Sequence, residues 1–154
     1  MKTNVALTGF MGSGKTAVGK ILAEKLNKQF VEMDSLIKQK AGKSISQIFA
    51  QDGEIAFRQL EIELTNEVAK DKKLVIACGG GIILNKINID RLKDEAVIVY
   101  LAASPAVILK RISADNQERP VLKGRDKAVA IGELLRFRKS FYERAADIRI
   151  DTSK

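Results

Sequence analysis

Eight residues near the start of the chain carry the clearest chemistry. Gly9-Phe-Met-Gly-Ser-Gly14-Lys15-Thr16 fits G-x-x-x-x-G-K-[ST], a pattern that cradles phosphate when it joins a strand to a helix. Glycines at 9, 12 and 14 let the backbone turn so that several N–H groups face inward. The helix that follows adds the positive end of its dipole. On this reading Gly12, Ser13, Gly14, Lys15, Thr16 and Ala17 bind the phosphates of ATP. Lys15 reaches the β- and γ-phosphates, and the Thr16 hydroxyl ligates Mg²⁺ directly. A glycine-rich turn that binds nothing is the alternative. An apolar run at Asn4–Thr8 and a helical pattern at Lys15–Leu26 argue against it.

The remaining inventory limits the reaction. The 154 residues include no histidine, which removes the usual general base and every His-dependent triad. Catalysis must use carboxylates, Lys, Arg, backbone amides and a bound ion, and phosphoryl transfer suits that set. A GTPase would carry Asn-Lys-x-Asp, but neither Asn27-Lys28 nor Asn85-Lys86 is followed by the needed Asp. A motor ATPase would end a strand in an acidic residue. Here Leu74–Ala77 runs into Cys78-Gly79, and Val97–Leu101 runs into Ala102-Ala103. What is left is a small metabolite or nucleotide kinase.

The net charge is +8, with aromatic residues at 5%. Residues 110–144 hold ten Lys or Arg against five acids, with no basic run longer than two. Few aromatics give no stacking platform for single strands, so nucleic acid is not the expected partner. The N-terminal apolar run is too short for a signal peptide or a membrane span. One cysteine, Cys78, suits a reducing compartment, and the expectation is a cytoplasmic protein with no membrane association. Cys78 itself reads as a small buried residue rather than a nucleophile.

The elements that must position these residues alternate. Strands are expected at Asn4–Thr8, Gln29–Met33, Leu74–Ala77, Ala96–Leu101 and Ile148–Asp151. Helices are expected over 15–26, 34–41, 46–51, 54–69, 86–93, 105–112 and 127–145. Ser44-Ile-Ser-Gln47 has capping-box spacing, and Ser104-Pro105 reads as an N-cap followed by the first helical position. Phe57, Leu60, Leu64 and Val68 form one apolar face. Apolar strands spaced by helices predict one α/β domain over residues 1–154: a five-stranded parallel sheet with helices on both faces, in three layers. The polar segment 113–124 predicts a mobile lid.

Further along, the chain resembles the shikimate kinase family. The resemblance rests on the Gly9–Thr16 loop, Phe30-Val-Glu-Met-Asp34, Gly53-Glu54 with Phe57-Arg58 and Glu61, Gly79-Gly80-Gly81, Arg119-Pro120, and Arg138-x-x-x-Tyr142-x-x-x-Ala146-Asp147. These motifs span residues 5–151 in the family's order. The resemblance implies a P-loop kinase fold that phosphorylates the 3-hydroxyl of shikimate, with ATP as co-substrate and Mg²⁺ as cofactor. It also implies a substrate-binding segment over about 34–61 and places Asp34, Arg58, Gly79, Gly80, Gly81 and Arg138 on the substrate. Lys15, Asp34 and Arg119 are implied to be catalytic, Arg119 from the lid onto ATP. A monomer is expected.

Read on their own, some of these residues admit other roles. Arg58 could be a helix residue paired with Glu54 or Glu61. Arg138 could be one of several cations on a solvated helix, and Asp34 a helix N-cap. Three consecutive glycines favour close backbone approach to a ligand. A gluconate or nucleoside monophosphate kinase, or a nucleotide-binding module without catalysis, remain the competing functions. Two positions depart from the family pattern. Glu32 stands where an Asp is usual and is expected to meet Mg²⁺ only through water, and Ser140 stands where a proline is usual. The sequence also stops just past the last expected strand, short of the family's closing helix.

Overall fold

The computed structural model describes residues 2–114, 119, 122, 124 and 126–153. Five strands form one parallel sheet: β1 (Asn4–Thr8), β2 (Gln29–Glu32), β3 (Leu74–Ala77), β4 (Ala96–Ala102) and β5 (Ile148–Asp151), in the order β2-β3-β1-β4-β5. Val5 sits centrally, level with Val75 on one side and Val97 on the other. Among the described residues the helices are α1 (Lys15–Leu26), α2 (Met33–Ala41), α3 (Ile45–Gln51), α4 (Gly53–Val68), α5 (Lys86–Lys93), α6 (Pro105–Ala114) and α7 (Lys127–Ala145).

Strand side chains alternate between faces, so each central strand feeds two cores. Leu7, Val75, Val99 and Leu101 pack with Ala23 of α1. Ala6, Ile76, Ile98 and Tyr100 pack with Leu64 of α4, Leu92 of α5 and Tyr142 of α7. The three-layer expectation holds. At the edge, β5 leaves Ile148 and Ile150 about half exposed, at 49% and 48%.

Local chemistry explains most element boundaries. Gly14 opens α1 at φ 97°, a left-handed conformation that a side chain would strain. Ser44 and Gln47 form the reciprocal capping box that their spacing predicts. The apolar face of α4 is as expected, with Phe57, Leu64 and Val68 buried.

The differences from the expected boundaries are short. Met33 was expected to end β2 but instead opens α2, because its side chain is fully buried in the core. Glu32 takes the extended N-cap position at φ −108°, ψ 118°, so Asp34 is the second residue of α2 and not its cap. A 3₁₀ turn at Ile82–Leu84 follows the glycines, and α6 runs on to Ala114. Most of the expected lid, at 115–118, 120, 121 and 123, lies outside the described residues.

Candidate active site

One cavity of about 480 Å³ opens where β1 and β3 end. Residues 11–17, Glu32, Asp34, Lys38, residues 77–80, Arg111 and Arg119 line it. Strands β1 and β3 are hydrogen-bonded neighbours that end side by side, which places the Gly9–Thr16 loop against the Gly79–Gly81 loop. Ligands of open parallel sheets settle at such strand ends.

The Gly9–Thr16 wall is built largely from backbone. The Lys15 ammonium donates to the carbonyl oxygens of Gly9 and Phe10 at 2.6 and 3.0 Å. Burial lowers its pKa to about 8, against an opposing pull from Asp34 and a reinforcing push from Arg119 and Arg138. The Thr16 hydroxyl donates to Glu32 at 2.6 Å, and Ser35 donates to the other Glu32 oxygen at 2.6 Å. Burial works to raise the Glu32 pKa, but these two bonds, together with the charges of Lys38 and Lys20, outweigh it and hold the carboxyl below its usual range. With its proton committed to Glu32, the Thr16 oxygen keeps lone pairs for a hard cation. This oxygen-only arrangement fits Mg²⁺. Among the described residues no cluster of three or more His, Cys, Asp or Glu forms a metal cage, so phosphate oxygens and water would complete the shell.

The opposite wall is built from buried charges. A side chain at Gly79 would crowd Asp34 Oδ1 at 3.0 Å and Glu61 Oε2 at 3.1 Å. A side chain at Gly81 would overlap the Arg58 guanidinium. Two of the three glycines are therefore required by charged side chains of the protein itself. Arg58 donates to Glu61 at 3.2 Å, is paired with Glu54 at 3.4 Å and lies over the Phe57 ring. Glu61 is only 1% exposed. Burial raises its pKa, partly offset by Arg58, and burial likewise raises that of Asp34, offset by Lys15.

Arg138 is the most exceptional of these groups. It is 4% exposed, stands over the Phe10 ring, and has no hydrogen-bond partner at Nε. No carboxylate among the described residues pairs with it, whereas a buried cation ordinarily requires one. It packs behind Gly80, whose Cβ position is 3.6 Å from Arg138 Nη1. The alternative of a solvated helix residue is thus excluded for Arg138. Arg58 does pair within α4, as its spacing allowed, and its side chain is 14% exposed beside Gly81.

Gly12, Ser13, Gly14, Lys15, Thr16, Ala17, Glu32, Asp34, Gly79, Gly80 and Arg119 all face one cavity. Arg58, Gly81 and Arg138 stand directly behind its glycine wall. Cys78 is buried beside them, and burial pushes its thiol up to about 12, as befits a packing residue. Arg111 was not anticipated. It donates to the Gly12 carbonyl at 3.1 Å and to Thr152, whose hydroxyl donates in turn to Ser13 and Ala102 carbonyls at 3.0 and 3.1 Å. Nothing in the sequence links positions 111 and 152, so only the fold reveals that brace.

Comparison with known proteins agrees with this geometry. The family model described as shikimate kinase matches residues 11–154. A shikimate kinase of Caldanaerobacter subterraneus subsp. tengcongensis is 45% identical over 97% of this chain and 86% of its own length. The structure of a shikimate kinase from Acinetobacter baumannii in complex with shikimate superposes with a TM-score of 0.94 at 36% identity, covering 100% of this chain and 86% of that one. A shikimate kinase structure from Aquifex aeolicus gives 0.83 at 34% identity, over 98% and 88% of the two chains. The chain belongs to the shikimate kinase family.

Proposed function

We propose that this chain, which phosphorylates shikimate as its family does, moves the γ-phosphoryl group of ATP directly onto the 3-hydroxyl. The hydroxyl oxygen bonds to the γ-phosphorus as the bond to the β–γ bridging oxygen breaks, and ADP departs. Asp34 holds the acceptor hydroxyl and takes its proton. Burial strengthens that carboxylate as a base, because it raises the pKa. Lys15 and the loop amides hold the phosphates, and Arg119 neutralises charge on the group in flight. Mg²⁺ on Thr16 would offset charge on the β- and γ-phosphate oxygens.

The observation that carries the acceptor assignment is Arg138, a buried guanidinium with no carboxylate paired to it among the described residues. A substrate carboxylate supplies the missing charge, and Arg58 adds a second guanidinium from beside Gly81. Gluconate also carries a carboxylate, so the decisive assay offers shikimate, gluconate and AMP separately with ATP and Mg²⁺. ADP release stimulated by shikimate alone is expected. Equal stimulation by either other acceptor, or none by any, would overturn the reading.

The same proposal covers a monomeric cytoplasmic enzyme that does not act on nucleic acid. No described helix is long and apolar enough to cross a membrane. Sedimentation at working concentration tests the monomer.

A further inference from the structure

The glycine wall of the cavity is held in shape from behind. The Gly79 carbonyl accepts from the Ile82 N–H at 3.2 Å, which sets the first peptide plane of the loop. The Gly80 carbonyl accepts from the Tyr142 hydroxyl at 2.5 Å, across 62 residues of sequence. A peptide is planar and trans, so fixing that carbonyl also fixes the Gly81 N–H on its opposite side. Glycine backbone has no side chain to restrain it, and without such an anchor this plane would be free to turn.

Tyr142 is suited to the task. It has no exposed surface, and its ring stacks on Tyr100 of β4 with centroids 5.0 Å apart and an interplanar angle of 13°. It stands one helical turn beyond Arg138, the cation assigned to the substrate carboxylate. The two residues interact electrostatically. One side chain thus ties together the loop that faces the acceptor, the helix that carries Arg138, and the central sheet. Losing the hydroxyl while keeping the ring would leave the core filled and release only the loop.

We propose that Tyr142 is a positioning residue for the acceptor: its hydroxyl sets the Gly80–Gly81 peptide and keeps that loop in register with Arg138. It touches neither reacting atom. The inference rests on the shikimate assignment above. The two fail separately, since that assignment falls if the parent protein shows no shikimate-stimulated ADP release.

Tyr142→Phe should raise the KM for shikimate about tenfold, the effect of leaving one buried acceptor unpaired. The KM for ATP should stay within twofold. Tyr100→Phe deletes the neighbouring hydroxyl and should change neither. A shikimate KM that stays put in Tyr142→Phe, a parallel rise for ATP, or the same rise in Tyr100→Phe would each overturn the proposal.

A second measurement needs no variant of Tyr142. The chain has two tyrosines, so 3-fluorotyrosine labelling gives two ¹⁹F signals, assigned with Tyr100→Phe. Saturating shikimate should move the Tyr142 signal more than the Tyr100 signal, and Mg²⁺–ATP alone should not. A Tyr142 signal indifferent to shikimate would overturn the inference even if the variant failed to fold.

Discussion

The two walls of the cavity solve opposite problems with opposite materials. The phosphate wall is a single stretch, Gly9–Thr16, whose work is done by backbone groups, one lysine and one hydroxyl. The acceptor wall takes Asp34 from α2, Arg58 and Glu61 from α4, glycines from the loop after β3, and Arg138 and Tyr142 from α7. Every ionised group on that wall is largely buried. A backbone-built site is shaped by its own contiguous stretch, with Arg111 and Thr152 bracing it from outside. A side-chain-built site depends on its charges cancelling, and among the described residues no carboxylate pairs with Arg138.

The largest expected effect falls on the phosphate wall. Lys15→Met should lower turnover about 10³-fold, in line with losing a donor aimed at developing charge. Shikimate binding, measured by calorimetry, should change less than threefold. Loss of shikimate binding in this variant would show that the walls are not independent.

The second effect separates them from the other side. Arg138→Met should raise the shikimate KM about 10²-fold, the scale of a buried charge-assisted contact, and leave the KM for ATP alone. The unliganded variant should also melt at a higher temperature than the parent, because it no longer buries an unpaired cation. A lower melting temperature would mean that Arg138 is compensated internally after all.

The smallest effect concerns pH. Lys15 in the free protein loses its proton near pH 8, so above that value phosphate binding must also take up a proton. Affinity for ADP should fall by up to about tenfold per pH unit above 8, and Lys15→Met should remove that slope. Stability moves the other way. The unfolded chain keeps this proton up to its ordinary pKa of 10.5 and the folded chain releases it near 8, so between them the unfolded state holds more protons. Lys15 therefore costs stability below pH 8, and that cost fades as pH rises to 10.5. The melting-temperature advantage of Lys15→Met should shrink across that window.

The contrast between the walls also explains what could be read in advance. The cradle is a contiguous pattern and the strands are continuous apolar runs, so β1, β3, β5, α1, α5 and α7 have the bounds that periodicity predicts. Glu61 was visible only as a motif member paired with Arg58. Yet it lies four residues after Phe57 and three before Leu64, on the apolar stripe itself, and that spacing is a signal of burial. Arg138 carries the same signal, three residues after Leu135 and four before Tyr142, but its neighbours Arg136 and Lys139 make the local sequence look solvated. The triple glycine was read as a close approach to ligand, and the structure adds that Asp34, Glu61 and Arg58 occupy the space first. The Tyr142–Gly80 bond spans too much chain for any local pattern to announce it.

The brace at Thr152 carries a consequence for timing during synthesis. Its hydroxyl reaches the Ser13 carbonyl across 139 residues, and Arg111 reaches both ends of the same brace. The Ser13 end of this brace is made 139 residues before the Thr152 end, so the loop waits for β5 before it is supported. A growing chain therefore displays the cradle long before it can hold it in its final shape.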